Sequence, residues 1–173
     1  DVVVLDVGAN VDVTSELLEQ FAKMGYVYSK NILGKEDCKV GLLNIGVEEH
    51  KGDSLRLETY KNLSKYPYFK GNVEARDVLN GDFDVVVTDG FSGNILLKTI
   101  EGSVEFIKTL AKSKLSKLDE KSQQTIIPMI KSMSTGIDYN SVGSAPVLGT
   151  KTPVFTAHGS SNRDAIMSGI LTL

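Results

Sequence analysis

The chain has 173 residues, of which 41% are hydrophobic and 24% charged, with a formal net charge of −3. That is the size and composition of a globular domain able to bury a proper core, and it excludes a disordered or collagen-like chain. The weak acidity, together with the lack of a basic, aromatic-rich platform, argues against nucleic acid as a partner.

Cys38 is the only cysteine, so the sequence holds no disulfide framework and a cytoplasmic location is expected. No signal peptide is visible, and no apolar run is long enough to span a bilayer. The sequence lacks an initiator methionine and opens inside a strand pattern, which is expected of a piece of a longer protein.

Residues 2–5 read as a buried strand that ends in the polar turn Asp6, Val7, Gly8, Ala9 and Asn10. A helix follows over about 15–30, capped by Thr14 or Ser15, with Leu17, Leu18, Phe21, Met24 and Tyr28 on one apolar face. Gly25 within it marks either a close helix contact or a break. A largely apolar strand is predicted over 39–45, and Cys38 falls in the polar linker before it. The run Glu48 to Asp53 then leads into a helix near 54–64. Residues 68–73 read as another strand and 74–79 as a helical turn. Val85, Val86 and Val87 form a β-branched strand buried on both faces.

Strand and helix in alternation predict a mostly parallel sheet in a three-layer α/β/α sandwich, within one α/β domain across 1–173. Right-handed crossovers then bring the strand-end turns to one edge, where open α/β sheets bind ligands. After Val87 come Asp89, Gly90, Phe91, Ser92, Gly93 and Asn94, a glycine-rich turn with a helix from Ile95. A helix N-terminus carries unpaired N–H groups and about half a positive charge, so it can bind an anion. On this reading Gly90 and Gly93 let a ligand approach, while Ser92 and Asn94 cap the helix or bind that ligand. The plain alternative is a capped turn with no ligand.

Residues 95–113 and 117–134 read as two helices, the second kinked or restarted near Pro128, forming a hairpin arm over 95–134. Between 108 and 121, Lys108, Lys112, Lys114, Lys117 and Lys121 are opposed only by Asp119 and Glu120. They form either a solvated face or a contact for a dimer partner, an acidic protein or a membrane surface. The remaining pattern is a loop over 139–150, a strand over 153–157, the turn His158, Gly159, Ser160, Ser161 and Asn162, and a helix over 163–173.

Several chemistries lack their signatures. No G-x-G-x-x-G or P-loop sequence supports a nucleotide site, and no G-x-S-x-G elbow supports a serine nucleophile. His50 and His158 are the only histidines and have no metal-ligand spacing. What the turns supply is a set of donors: Asn10, Lys51, Ser92, Asn94, His158, Ser160, Ser161 and Asn162, with many glycine N–H groups. Such a set suits a phosphate held beside an oxyanion. Phosphate attacking an activated acyl group arrives already charged, so the protein must align two reactants and stabilise a tetrahedral oxyanion. A lysine near the phosphate lowers the repulsion, and an amide or imidazole donor on the oxyanion contributes about 3 kcal/mol.

Six strings in order carry a resemblance: DVGAN at Asp6, GLLNIG at Gly41, KGDSL at Lys51, GNVEARD at Gly71, TDGFSGNILLKTIEG at Thr88 and HGSSN at His158. Together they resemble the PlsX family of bacterial phosphate acyltransferases, along essentially the whole chain and matching the C-terminal part of that family. Gly143-Ser144-Ala145 departs mildly from the family's Gly-Gly-Ala. The resemblance implies transfer of an acyl group from acyl carrier protein to orthophosphate in phospholipid synthesis. It also implies an α/β/α fold like that of phosphotransacetylases and isopropylmalate dehydrogenases, a homodimer, peripheral membrane association, and no cofactor or metal. Lys51, Asn94 and His158 are then the catalytic residues. Asn10, Gly90, Ser92, Gly93, Gly159, Ser160, Ser161 and Asn162 bind substrate, and Lys108, Lys112, Lys117 and Lys121 face carrier protein or membrane. The plain readings remain beside these: a surface lysine, a helix cap, a core histidine. Two competing functions also remain, a non-catalytic module that binds phosphate or an acyl chain and a dehydrogenase of similar fold.

Overall fold

The computed structural model describes residues 2–115, 119–135, 144–157 and 161–171. Two compact units make up the chain, Asp1–Lys98 and Thr99–Leu173.

The first unit is built on a parallel sheet of β1 (Val3–Leu5), β2 (Val40–Asn44), β3 (Phe69–Glu74) and β4 (Val85–Val87), ordered β1-β4-β2-β3. β4 thus lies between β1 and β2, with Val85 opposite Val3 on one side and Val40 on the other. Every residue of β2 and β4 is buried, as expected for the valine run of β4 and for the Val40, Leu42 and Leu43 of β2 in a parallel sheet covered on its faces. Alternate residues Val40, Leu42, Val85 and Val87 meet Leu18, Phe21 and Ala22 of α1 (Ser15–Asn31) and Leu63 of α2 (Ser54–Leu63) in one core. Helices lie on both sides of the sheet, the three-layer α/β/α arrangement that the alternating pattern predicts.

Local chemistry sets the helix positions. Thr14 Oγ1 accepts the Leu17 N–H at 3.3 Å and Asp53 Oδ1 the Arg56 N–H at 2.9 Å, which starts α1 and α2 respectively. Gly25 marks a close contact, not a break: a Cβ there would lie 2.5 Å from Val85 Cγ1 and 3.1 Å from Leu5 Cδ1. Cys38 is not in a solvated linker. It is buried in the core cluster, where burial pushes its thiol pKa up and disfavours the reactive thiolate.

The largest departure from expectation concerns α3 (Gly90–Leu115), which begins at Gly90 and not at Ile95. The glycine-rich stretch is therefore the first turn of a helix. α3 starts in the first unit and ends in the second.

The second unit holds the rest of α3, α4 (Glu120–Thr135), the antiparallel pair β5 (Ala145–Pro146) and β6 (Phe155–Thr156), and α5 (Arg163–Leu171). α4 continues through Pro128. β5 forms where only loop was expected, because the Val147 N–H reaches the Val154 carbonyl at 2.8 Å and closes a hairpin. Among the described residues no helix is long and apolar enough to cross a membrane.

Candidate active site

A parallel sheet collects the ends of its strands at one edge. At the end of β1, the Asp6 carboxylate accepts the N–H groups of Gly8 at 2.9 Å, Ala9 at 3.0 Å and Asn10 at 2.7 Å, and the Asn10 side-chain amide at 2.8 Å. Burial pushes the Asp6 pKa up, but the bonds from Ala9, Asn10 and Gly8 outweigh it and hold the carboxyl below its ordinary value. Asp6 is therefore an anion spent on its own turn. The Asn10 side-chain amide, expected to be a donor for substrate, gives one N–H to the same carboxylate.

At the end of β4, Asp89 does the same for α3. Its Oδ1 accepts the Ser92 N–H at 2.7 Å and its Oδ2 accepts the Ser92 hydroxyl at 2.9 Å. Arg56 of α2 donates through Nη2 to Asp89 Oδ2 and to Ser92 Oγ, the latter at 3.1 Å, and through Nη1 to Asp53 Oδ2 at 3.0 Å. Burial pushes the Asp89 pKa up, yet Ser92 and Arg56 together bring it below the ordinary value. The negative charge that satisfies this helix end is thus the chain's own carboxylate.

The two glycines serve the same junction. The Gly90 N–H donates to the Asn10 carbonyl at 2.8 Å, and a Cβ on Gly90 would stand only 2.8 Å from that oxygen. A Cβ on Gly93 would run into the Asp6 carbonyl oxygen. They admit the turn after β1, where a ligand was expected. Asn94 is left over at this junction. It is exposed, its side chain bonds to no described residue, and its Oδ1 is 3.7 Å from where a Gly8 Cβ would stand.

The end of β2 leads into the loop that carries Lys51. The Lys51 N–H donates to the Glu48 carbonyl at 3.1 Å, and its aliphatic stem lies against Gly46, where a Cβ would meet Lys51 Cγ at 3.0 Å. The side chain is half-buried and forms no ion pair with a described residue. Arg56, in the first turn of the helix that this loop leads into, bonds back to Asp53 and across to Asp89 and Ser92, so the loop's end and the start of α3 meet at the same edge. Lys51, the turn ending at Asn10 and the start of α3 carrying Asn94 are in this sense brought together.

His158, Gly159 and Ser160 are outside the described residues. Ser161 is half-buried, and Asn162 caps α5 by accepting the Ala165 N–H at 2.9 Å. Lys108 and Lys112 lie on the part of α3 in the second unit, beside exposed Phe106, Ile107 and Leu110. Lys117 is outside the described residues; Lys121 belongs to α4, and its side chain is not described.

Arg56 is the member of the site that the sequence did not reveal. Its Asp53 partner sits three residues back, a visible helix-start pair, but Asp89 is 33 residues away. A separate open hollow of about 500 Å³ lies at the opposite edge, below the starts of β2 and β4, lined by Lys35, Lys39, Asp82 and Asp84 among others. One ion pair spans it, Lys35 with Asp84 at 3.4 Å, and the Lys39 backbone N–H donates to the same carboxylate at 3.0 Å. We assign no chemistry to it.

Comparison with known proteins agrees with the strings singled out above. A family model described as "Fatty acid synthesis protein" matches residues 1–172. The chain is 93% identical to a phosphate acyltransferase of Finegoldia magna over 173 residues, 100% of this chain and 54% of that protein. It is 45% identical to a phosphate acyltransferase of Bacillus licheniformis over 172 residues, covering 96% of this chain and 51% of that protein. Against a phosphate acyltransferase of Campylobacter lari it is 47% identical over 169 residues, with 96% and 51% covered. The chain spans about half the length of the curated relatives it matches. Those matches do not support the expectation that it is their C-terminal part, which is set aside.

Proposed function

Since the chain belongs to the fatty acid synthesis protein family, we propose that it is part of an acyltransferase that makes acyl phosphate from acyl carrier protein thioester and orthophosphate. The likeness to proteins named phosphate acyltransferase supports the reaction class. The observation that carries the site is Asn94, an exposed amide with no bond to a described residue, at a sheet edge where the Asn10 side-chain amide and the Ser92 hydroxyl already donate to Asp6 and Asp89.

In this reading a phosphate oxygen attacks the thioester carbonyl carbon, the carbonyl π electrons move to oxygen, and the tetrahedral intermediate collapses to release the carrier thiolate. Lys51 offsets the charge of the incoming phosphate. Asn94 donates to the oxyanion, a contribution of about 3 kcal/mol. His158 enters as a second donor on its sequence pattern alone. Ser92 and Asn10 act one step back, holding the junction, because their side chains bond to Asp89 and Asp6. The proposal includes a homodimer and a peripheral membrane or carrier-protein contact at the arm of α3 and α4, supported by exposed Phe106, Ile107 and Leu110 near Lys108 and Lys112.

The test is release of free carrier thiol by the full-length protein given acyl carrier protein thioester and orthophosphate. Lys51→Ala and Asn94→Ala are each expected to lower turnover by about a hundredfold or more with folding unchanged. Normal turnover in both variants would refute this site. Phosphate binding without thiol release by the unaltered protein would leave a binding module.

A further inference from the structure

Lys51 has no ion pair with a described residue, yet both polar atoms of its backbone are fixed. Its N–H donates to the Glu48 carbonyl at 3.1 Å, and its own carbonyl accepts from Asn44 Nδ2 at 2.9 Å. The Glu48 carbonyl in turn accepts from Asn72 Nδ2 at 2.8 Å. Two side-chain amides from neighbouring strands therefore hold the two backbone carbonyls that bracket the turn. Asn44 closes β2, and its Oδ1 also accepts the Ile45 N–H at 2.8 Å. Asn72 lies on β3 opposite Leu42.

Neither amide is explained by packing. Both are buried, in a parallel sheet whose interior favours aliphatic residues. Asn72 Oδ1 is sealed from solvent with no hydrogen-bond partner, which is a cost to stability. A buried polar residue that breaks the local rule in this way points to a demand outside the core. The loop has no slack either. Gly52 has φ of +96°, and a Cβ on it would meet Asn44 Oδ1 at 2.6 Å.

We propose that Asn44 and Asn72 are positioning residues that hold the turn over 48–52 in one conformation, so that Lys51 is in place before phosphate arrives. The inference rests on the reading of Lys51 as the phosphate-facing cation. A lysine side chain is long and flexible; anchoring its backbone at both ends reduces the freedom that binding must remove. The effect is on alignment, and no bond of the reaction passes through either amide.

Asn44→Leu and Asn72→Leu in the full-length protein keep the side-chain size and remove the donor. Asn44→Asp serves as a second variant that keeps the acceptor for Ile45. Each is expected to lower kcat/KM for phosphate by roughly tenfold to a hundredfold. Hydrogen exchange of the amides at 46–52 should quicken while exchange in α1 stays as it was. In a Lys51→Ala background the same changes should bring no further loss, since groups that act through one another are not additive. Additive losses, or unchanged exchange at 46–52, would overturn the positioning role. Full turnover in Lys51→Ala alone would instead overturn the phosphate reading beneath it.

Discussion

Replacing Gly93 with alanine distinguishes two reasons for a glycine at the start of α3. If the residue is small so that a ligand can approach, an added methyl group harms binding and leaves the fold unaffected. If it is small so that the chain can approach itself, the fold suffers. The Cβ would overlap the Asp6 carbonyl oxygen and stand 2.8 Å from Thr88 Cγ2. Asp6 cannot easily retreat, since its N–H bonds the Thr88 carbonyl at 2.9 Å and the Thr88 N–H bonds the Leu5 carbonyl at 2.6 Å. Overpacking against a fixed obstacle costs about 3 kcal/mol, and alanine's better helix propensity returns about 1 kcal/mol, a net loss of about 2 kcal/mol. In a chain of this size that lowers Tm by about 4–8 °C. Gly102 on the same helix has nothing within 4 Å of its Cβ position, so only the propensity gain applies. Gly102→Ala should raise Tm by up to about 4 °C. Thermal unfolding of both variants, followed by circular dichroism, reads the two signs directly. A Gly93→Ala protein as stable as the wild type, with only phosphate use impaired, would refute the chain-approach account.

Arg56→Met keeps the stem and removes the charge that Asp89 and Ser92 share. It should cost about 1–3 kcal/mol and, by raising the Asp89 pKa, shift acid unfolding to higher pH; unchanged stability by calorimetry would mean that Asp89 is held by the helix end alone. Glu19 accepts hydrogen bonds from the Tyr66 hydroxyl, Lys23 and Lys65, which lower its pKa from 4.5 to about 2. A lowered folded-state pKa contributes stability above the unfolded value and loses it as pH falls toward the folded one. Wild-type Tm should therefore fall more steeply than that of Glu19→Gln between pH 4.5 and about 2, and parallel curves from pH-resolved melting would remove Glu19 from the account.

The sheet and its first two helices were legible because their signals are local. Val85 to Val87 can only be a covered strand, and Leu17, Leu18, Phe21 and Met24 repeat at helix spacing. The start of α3 was not, because a glycine pair reads as a turn unless one knows what lies against it. The contact that requires Gly93 to be small is with the Asp6 carbonyl, supplied by a distant part of the chain. Asp89 three residues before Ser92 was the available sign of a helix cap, and it points to a start at Gly90. The donors at the sheet edge show the same limit. Asn10, Ser92 and Asn94 look equivalent in sequence, yet the folded chain uses the first for Asp6 and the second for Asp89 and leaves the third without a described partner. A polar residue in a strand-end turn therefore counts toward a ligand only after the caps and turns around it have taken the donors they need.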